Sequence, residues 1–356
     1  MTVVHQLGSE LGYGDAVTND MLAIDARLKA WGLDAHVYGA VVEPRLQGLA
    51  QPDTAYLPFL DCPDHVLIYH YSAYSDTLQL FHRSRNRKIV VYHNITPPAF
   101  FAGYDSALEA VCRVGRAALP QLRDADLGLG VSDYNRRELV AAGFAPERTG
   151  VLPILLNLAA WDGTPRNERL SRRLADSGDT RILFVGRVTP NKAFEDLLTI
   201  FAAYQRWVNP RSRLILAGAR ILPRYAAVLD RLVQRLGLQR RVTFTDRVPL
   251  ADLKAYYETA HVFLCASRHE GFCVPLLESM RFGVPILAYA SSAIPDTLGT
   301  AGVQFTRIDL PTLAETLHLL ATDVGLPERI IAGQRRRLAD FAPQRVEEKL
   351  REVLDG

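Results

Sequence analysis

The chain has 356 residues, 48% apolar and 22% charged, with a net charge of +2 and a mean hydropathy of +0.00. That length predicts two domains, in a composition typical of soluble globular proteins. The small charge argues against nucleic-acid binding, and no run approaches the roughly 20 apolar residues that span a bilayer.

Met1-Thr-Val-Val-His5 reads as a first strand. It has neither the basic region nor the cleavage site of a signal peptide, which predicts a cytoplasmic enzyme, at most peripheral to a membrane. Short apolar runs then alternate with longer amphipathic stretches, the pattern of parallel strands with helical crossovers. In the first half the expected strands are 3–5, 36–38, 65–69, 88–92 and 127–131. The expected helices are 15–31, 75–85, 106–124 and 133–142, with Gly32 and Gly143 as stops. Between them lie a glycine-rich turn with Gly14 and Asp15, and His70 and the pair His93-Asn94 at neighbouring strand ends. Gly14 and Asp15 read as an edge of a binding cleft, with Asp15 equally suited to capping a helix. His93 near neutral pH can hold a sugar hydroxyl or a reacting group. The spacing of the glycines does not fit the dinucleotide fingerprint.

Asp124-Ala-Asp126 has the form of a metal-holding pair but falls before a strand, so it reads as a solvated helix end. Arg83-Ser-Arg-Asn-Arg-Lys88 reads as a solvated turn, with contact to anionic lipid or an anionic acceptor as its alternative. The charged stretch 157–179 breaks the rhythm and reads as a linker. The strand pattern restarts at 181–186 and recurs at 213–218, 242–245, 261–266 and 285–289, and 310–354 is helical and charged. Residues 1–150 hold 13 Lys and Arg against 17 Asp and Glu, and the remainder 28 against 22, which places a phosphate-bearing ligand in the second half. Cys62, Cys112, Cys265 and Cys273 have no metal-ligand spacing and read as reduced thiols, Cys273 as a small side chain beside a ligand.

Two loops carry the chemistry of the second half. Gly186 lets the chain turn at a strand end, and Arg187 and Lys192 reach back over it, two fixed cations suited to a diphosphate leaving group. In Glu270-Gly-Phe-Cys-Val-Pro-Leu-Leu-Glu278, Pro275 suits a first helical position and Gly271 permits close approach of a ligand. The N–H groups from Phe272 onward face an anion, and the flanking carboxylates fit a ligand that carries hydroxyls as well as phosphate.

The Glu270…Glu278 arrangement, the Gly186-Arg187…Lys192 loop, Ser132, and Ile294-Pro-Asp296…Gly299…Ala301-Gly302 resemble the retaining family 4 glycosyltransferases, across nearly the whole chain. Asp15-Ala-Val-Thr-Asn-Asp20 and Tyr92-His-Asn-Ile-Thr-Pro-Pro98 look like the bacterial branch that builds cell-surface polysaccharides, often with mannose. The resemblance implies a GT-B fold: two doubly wound Rossmann-like α/β domains facing each other across a cleft. The implied units are an acceptor-binding domain over 1–156, the linker, a donor-binding domain over 180–335, and a C-terminal helix over 336–356 crossing back to the first domain. It implies a retaining, metal-independent transfer of a hexose from a nucleotide-diphosphate sugar such as GDP-mannose to a saccharide or lipid-linked saccharide acceptor, with no cofactor.

The matching positions take roles accordingly. His93, Arg187, Lys192 and Glu270 are the catalytic set, with Glu270 on the transferred sugar and the two cations on the diphosphate. Gly14, Gly186, Gly271, Phe272, Cys273 and Val274 line the donor, Glu278 takes the ribose hydroxyls, and the backbone near Arg247 and Val248 meets the base. Asp15, His70 and Asn94 stand on the acceptor side. The family more often has Gly where Asp246 stands. A nucleotide-sugar epimerase of the same fold and a non-catalytic nucleotide-sugar sensor are the alternatives; conversion of donor without acceptor, or no turnover at all, would mark them.

Overall fold

A computed structural model describes residues 3–156 and 159–355. The chain divides into two compact units. The first comprises Met1–Ala99, Ser106–Asn157 and Phe341–Gly356; the second comprises Phe100–Asp105 and Leu158–Asp340.

The first unit is built on β1 (Val3–Leu11), α1 (Ala16–Ala30), β2 (Asp34–Val42), β3 (Gln51–Pro52), β4 (Val66–Tyr71), α2 (Thr77–Arg83), β5 (Arg87–Tyr92), α3 (Ser106–Ala118), β6 (Leu127–Gly130), α4 (Asp133–Ala141) and β7 (Thr149–Val151). Its strands run parallel in the order β3-β2-β1-β4-β5-β6-β7. The edge strands β3 and β7 are too short to show in the sequence, and the fourth strand begins one residue later than expected. Helices cover this sheet, so its strands read as continuous apolar runs. Val4, Leu7, Leu67, Ile89, Val90 and Val91 are fully buried.

The second unit contains α5 (Ala159–Gly163), α6 (Glu168–Asp176), β8 (Thr180–Val185), α7 (Phe194–Trp207), β9 (Ser212–Ala217), α8 (Pro223–Leu236), β10 (Val242–Phe244), α9 (Leu250–Thr259), β11 (Val262–Cys265), α10 (Val274–Arg281), β12 (Ile286–Tyr289), α11 (Ile294–Leu298), β13 (Val303–Phe305), α12 (Leu310–Thr322) and α13 (Leu326–Ala339). Its sheet is also parallel, in the order β10-β9-β8-β11-β12-β13. Leu183, Leu214, Leu216, Phe263 and Leu264 are inaccessible to solvent, each such side chain contributing about 1.5–3 kcal/mol.

The division differs from the expectation at three places, one being Phe100–Asp105, which was expected in the first domain and falls in the second unit. The stretch read as a linker carries α5 and α6 from residue 159 onward; residues 157 and 158 lie outside the described set. Trp161, Leu170 and Leu174 are buried there, and Trp161 sets its edge against Tyr257 and Phe282. The many charges of α6 occupy its outer face and mask a short apolar stripe. The expected final helix is two helices, broken at Asp340–Ala342, with Pro343 opening α14 (Pro343–Asp355). The first of them, α13, stays with the second unit, and α14 joins the first. There Arg87 donates to the carbonyls of Val353 and Leu354, where cations suit a helix C-terminus, Arg27 pairs with Glu347, and Arg351 lies over Trp31. The basic run 83–88 is thus not simply a solvated turn, since Arg87 ties down the last helix. Among the described residues no helix is long and apolar enough to cross a membrane.

Candidate active site

In a doubly wound sheet, ligands bind beyond the carboxyl ends of the strands where the strand order reverses. In the second unit that point lies between the neighbours β8 and β11. The β8 loop carries Gly186, Arg187 and Lys192; the β11 loop carries Glu270 to Cys273 and runs into α10.

The structure joins these loops through one ion pair. Lys192 Nζ lies 2.5 Å from Glu270 Oε2, with the carboxylate side chain 6% exposed and the ammonium 20%. Burial works against the Lys192 ammonium, but Glu270 outweighs it and holds the group above its usual range. The second carboxylate oxygen, Oε1, is buried and has no hydrogen-bond partner among the described residues. A buried acceptor without a donor costs about 1–3 kcal/mol, so the pocket is one hydroxyl short of satisfaction. Arg187 is exposed and forms no ion pair among the described residues. Of the two cations, Arg187 is therefore uncommitted, while Lys192 is held by Glu270.

Cys273 precedes α10 with φ 71°, the left-handed region, and Pro275 follows as expected. Phe272 is buried, its carbonyl accepting from Thr297 Oγ1 at 2.6 Å. The N–H groups of Cys273 and Val274 make no hydrogen bond among the described residues, which leaves the helix start open to an anion. Further along α10, Glu278 accepts from the Tyr257 phenol at 2.6 Å, and burial pushes its carboxyl up to about 7. Arg247 and Val248 lie in the loop after β10. Beside them, Asp246 adopts φ 55°, a backbone that glycine takes freely, and its Oδ1 accepts from Arg220 N.

Sequence reasoning missed Gly218. It follows β9, and a Cβ built there would lie 1.9 Å from the Gly186 carbonyl oxygen. Gly186 N donates to Ala217 O and Val188 N to Ala219 O, so the cation-bearing loop is strapped to this segment. The signal was present: β8 and β9 are both apolar runs ended by glycine.

In the first unit, Asp15 caps α1 by accepting from Val17 N and Thr18 N, and Gly14, at φ 78°, forms the turn before it. Asn94 donates to Asn135 Oδ1 and Glu138 Oε2, and Ser132 caps α4. His70 and His93 sit together as their neighbouring strands predict, His70 Nδ1 lying 2.9 Å from His93 Nε2. Two residues to which the sequence reading gave no role complete this group. Gln6 Nε2 donates to Met21 O, which turns its Oε1 to His70 Nε2 at 3.0 Å. Asp20 Oδ2 lies 3.8 Å from His93 Nε2, and its Oδ1 accepts from Leu155 N. The amide orientation of Gln6 requires His70 to donate from Nε2, and therefore His93 to donate from Nε2 to His70 Nδ1. Burial holds both imidazoles neutral, His93 down to about 3, and pushes the Asp20 carboxyl up to about 7.

These shifts oppose each other in stability. Asp20, raised from 3.8, contributes stability that is complete below about pH 4 and is lost as pH rises through 7. His93, lowered from 6.5, contributes stability that is complete above pH 6.5 and is lost as pH falls toward 3. Asp20→Asn should leave the histidine limb alone, so between pH 4 and 7 its unfolding free energy should rise with pH more steeply than the parent's, by a few kcal/mol in order of magnitude. Denaturant titrations at several pH values measure this, and parallel profiles would refute the assignment.

Among the described residues, two groups of side chains bring metal-ligating atoms within 4.8 Å of one another: Asp20, His70 and His93, and Cys265, Glu270 and Cys273. In the second group the Lys192 ammonium opposes a cation.

A family model, glycosyl transferases group 1, matches residues 166–354. The chain is 28% identical over 203 residues to the O-antigen chain mannosyltransferase B of Escherichia coli, covering 56% of this chain and 52% of that one. It is 26% identical over 258 residues to the GDP-mannose-dependent alpha-(1-6)-phosphatidylinositol monomannoside mannosyltransferase of Mycolicibacterium smegmatis, covering 68% and 66%. The chain thus spans less than two thirds of either relative. A crystal structure of Anabaena HepE in complex with UDP and glucose covers 100% of both chains with a TM-score of 0.79 and 15% identity, a likeness that establishes the GT-B fold.

Proposed function

The chain belongs to the glycosyl transferases group 1 family, and we propose that it moves a hexose, mannose by preference, from a nucleotide-diphosphate sugar to a saccharide acceptor with retention of configuration and without a metal. The preference for mannose is supported by the two mannosyltransferases to which it is similar. The observation that carries the reading is the Lys192–Glu270 pair at the switch point of the second sheet, with Arg187 and the start of α10 on the same loops.

Breaking the sugar–phosphate bond builds positive charge on the sugar and negative charge on the diphosphate. Arg187 and the α10 N-terminus stabilise the diphosphate, and Lys192 turns to it from Glu270 as the charge grows. Glu270 Oε1 accepts a hydroxyl of the transferred sugar, which satisfies the buried oxygen. Glu270 thus holds the sugar through that hydroxyl and does not serve as a nucleophile. The leaving phosphate oxygen takes the acceptor's proton on the same face.

Calorimetry with GDP-mannose, UDP-glucose and related donors tests this. Binding of GDP-mannose, with slow hydrolysis in the absence of acceptor, is the expected result. Absence of binding by every donor would overturn the proposal.

A further inference from the structure

Tyr257 is fully buried on α9, and its phenol donates to Glu278 Oε2 at 2.6 Å. Its ring is fixed from two sides. Phe282 lies face to face with it at 5.2 Å and 9°, and Trp161 stands edge-on at 5.9 Å and 87°. Phe282 closes the same helix that carries Glu278, so phenol and carboxylate are registered on one element.

The vicinal diol of a ribose offers two O–H donors. A carboxylate matches it only when ionised, because a carboxylic acid turns one oxygen into a donor. Burial drives Glu278 toward the neutral acid, and the Tyr257 hydrogen bond opposes that. The other titratable group facing this pair is the Cys273 thiol, before α10. No Lys or Arg pairs with Glu278 among the described residues.

We propose that Tyr257 is a positioning residue for nucleotide binding: it occupies one oxygen of Glu278 and keeps the carboxylate an acceptor, so that the other oxygen receives the ribose diol. This rests on the reading of Glu278 as the ribose-binding group.

The test measures binding of GDP and 2′,3′-dideoxy-GDP by calorimetry from pH 6 to 9, with UDP and its dideoxy form in parallel, to the parent, Tyr257→Phe, Glu278→Gln and the double variant. Tyr257→Phe should bind the ribonucleotide about 5–10-fold more weakly at pH 7. The midpoint of its pH dependence should move upward, so that affinity returns to the parental value at pH 9. Binding of the dideoxynucleotide should not change, and the double variant should bind no more weakly than Glu278→Gln alone. Equal losses for both nucleotides, or an unmoved midpoint, would overturn the positioning role while leaving Glu278 on the ribose. A parent that binds ribo- and dideoxynucleotides equally would overturn the ribose reading and this inference with it.

Discussion

Replacing Lys192 by alanine should lower turnover by about 10²–10³-fold, the typical loss when one preorganised donor to a developing negative charge is removed. It should also cost about 3 kcal/mol of stability, because Glu270 stays behind as a buried charge with neither oxygen satisfied. The two effects separate in the double variant Lys192→Ala/Glu270→Gln. Neutralising the carboxyl removes the stranded charge, so stability should return most of the way while turnover does not. Steady-state kinetics with a working donor and acceptor, beside denaturant unfolding, read both quantities. Parental turnover in Lys192→Ala would remove this lysine from the chemistry. Recovery of turnover together with stability in the double variant would mean that the pair only supports the loops.

Gly218→Ala tests the strap beneath those loops, with an effect comparable in size. The Cβ would meet backbone, the Gly186 carbonyl at 1.9 Å, and no rotamer change can relieve that. The Gly186–Arg187 loop must shift, against hydrogen bonds on both sides of the contact. A loss of about 3 kcal/mol or more is expected, with donor affinity falling alongside. Gly237→Ala supplies the contrast. That glycine also has a positive φ, 72°, but nothing lies within 4 Å of its Cβ position. It should lose only the left-handed backbone term of about 1–2 kcal/mol and keep donor affinity. Equal stability losses in the two variants would refute the close-contact argument.

Much of this architecture was legible because parallel strands buried on both faces are written as uninterrupted apolar runs. β8 and β11 announce themselves that way, and the loops leaving them hold Arg187, Lys192 and Glu270. The pairing of Lys192 with Glu270 was not legible, because the two are 78 positions apart and meet only when β8 lies beside β11. The same holds for Gln6 and Asp20, which meet the two histidines only once β1 and α1 are placed against β4 and β5. Tyr257 carries no signal in the sequence, since its partner lies 21 residues away. The linker reading failed for a different reason: charge density was weighed above the spacing of Trp161, Leu170 and Leu174.

The division of the chain between its units has a consequence for biosynthesis. The second unit draws nearly all of its residues from one continuous stretch, whereas the first is finished by α14, made after that stretch. On the ribosome the first sheet can begin to assemble early, but the surface around Trp31 and Arg87 stays uncovered until α14, made after the second unit, has emerged. The unit that starts first is therefore the last to close, and a nascent chain released early would leave its opening half unsealed.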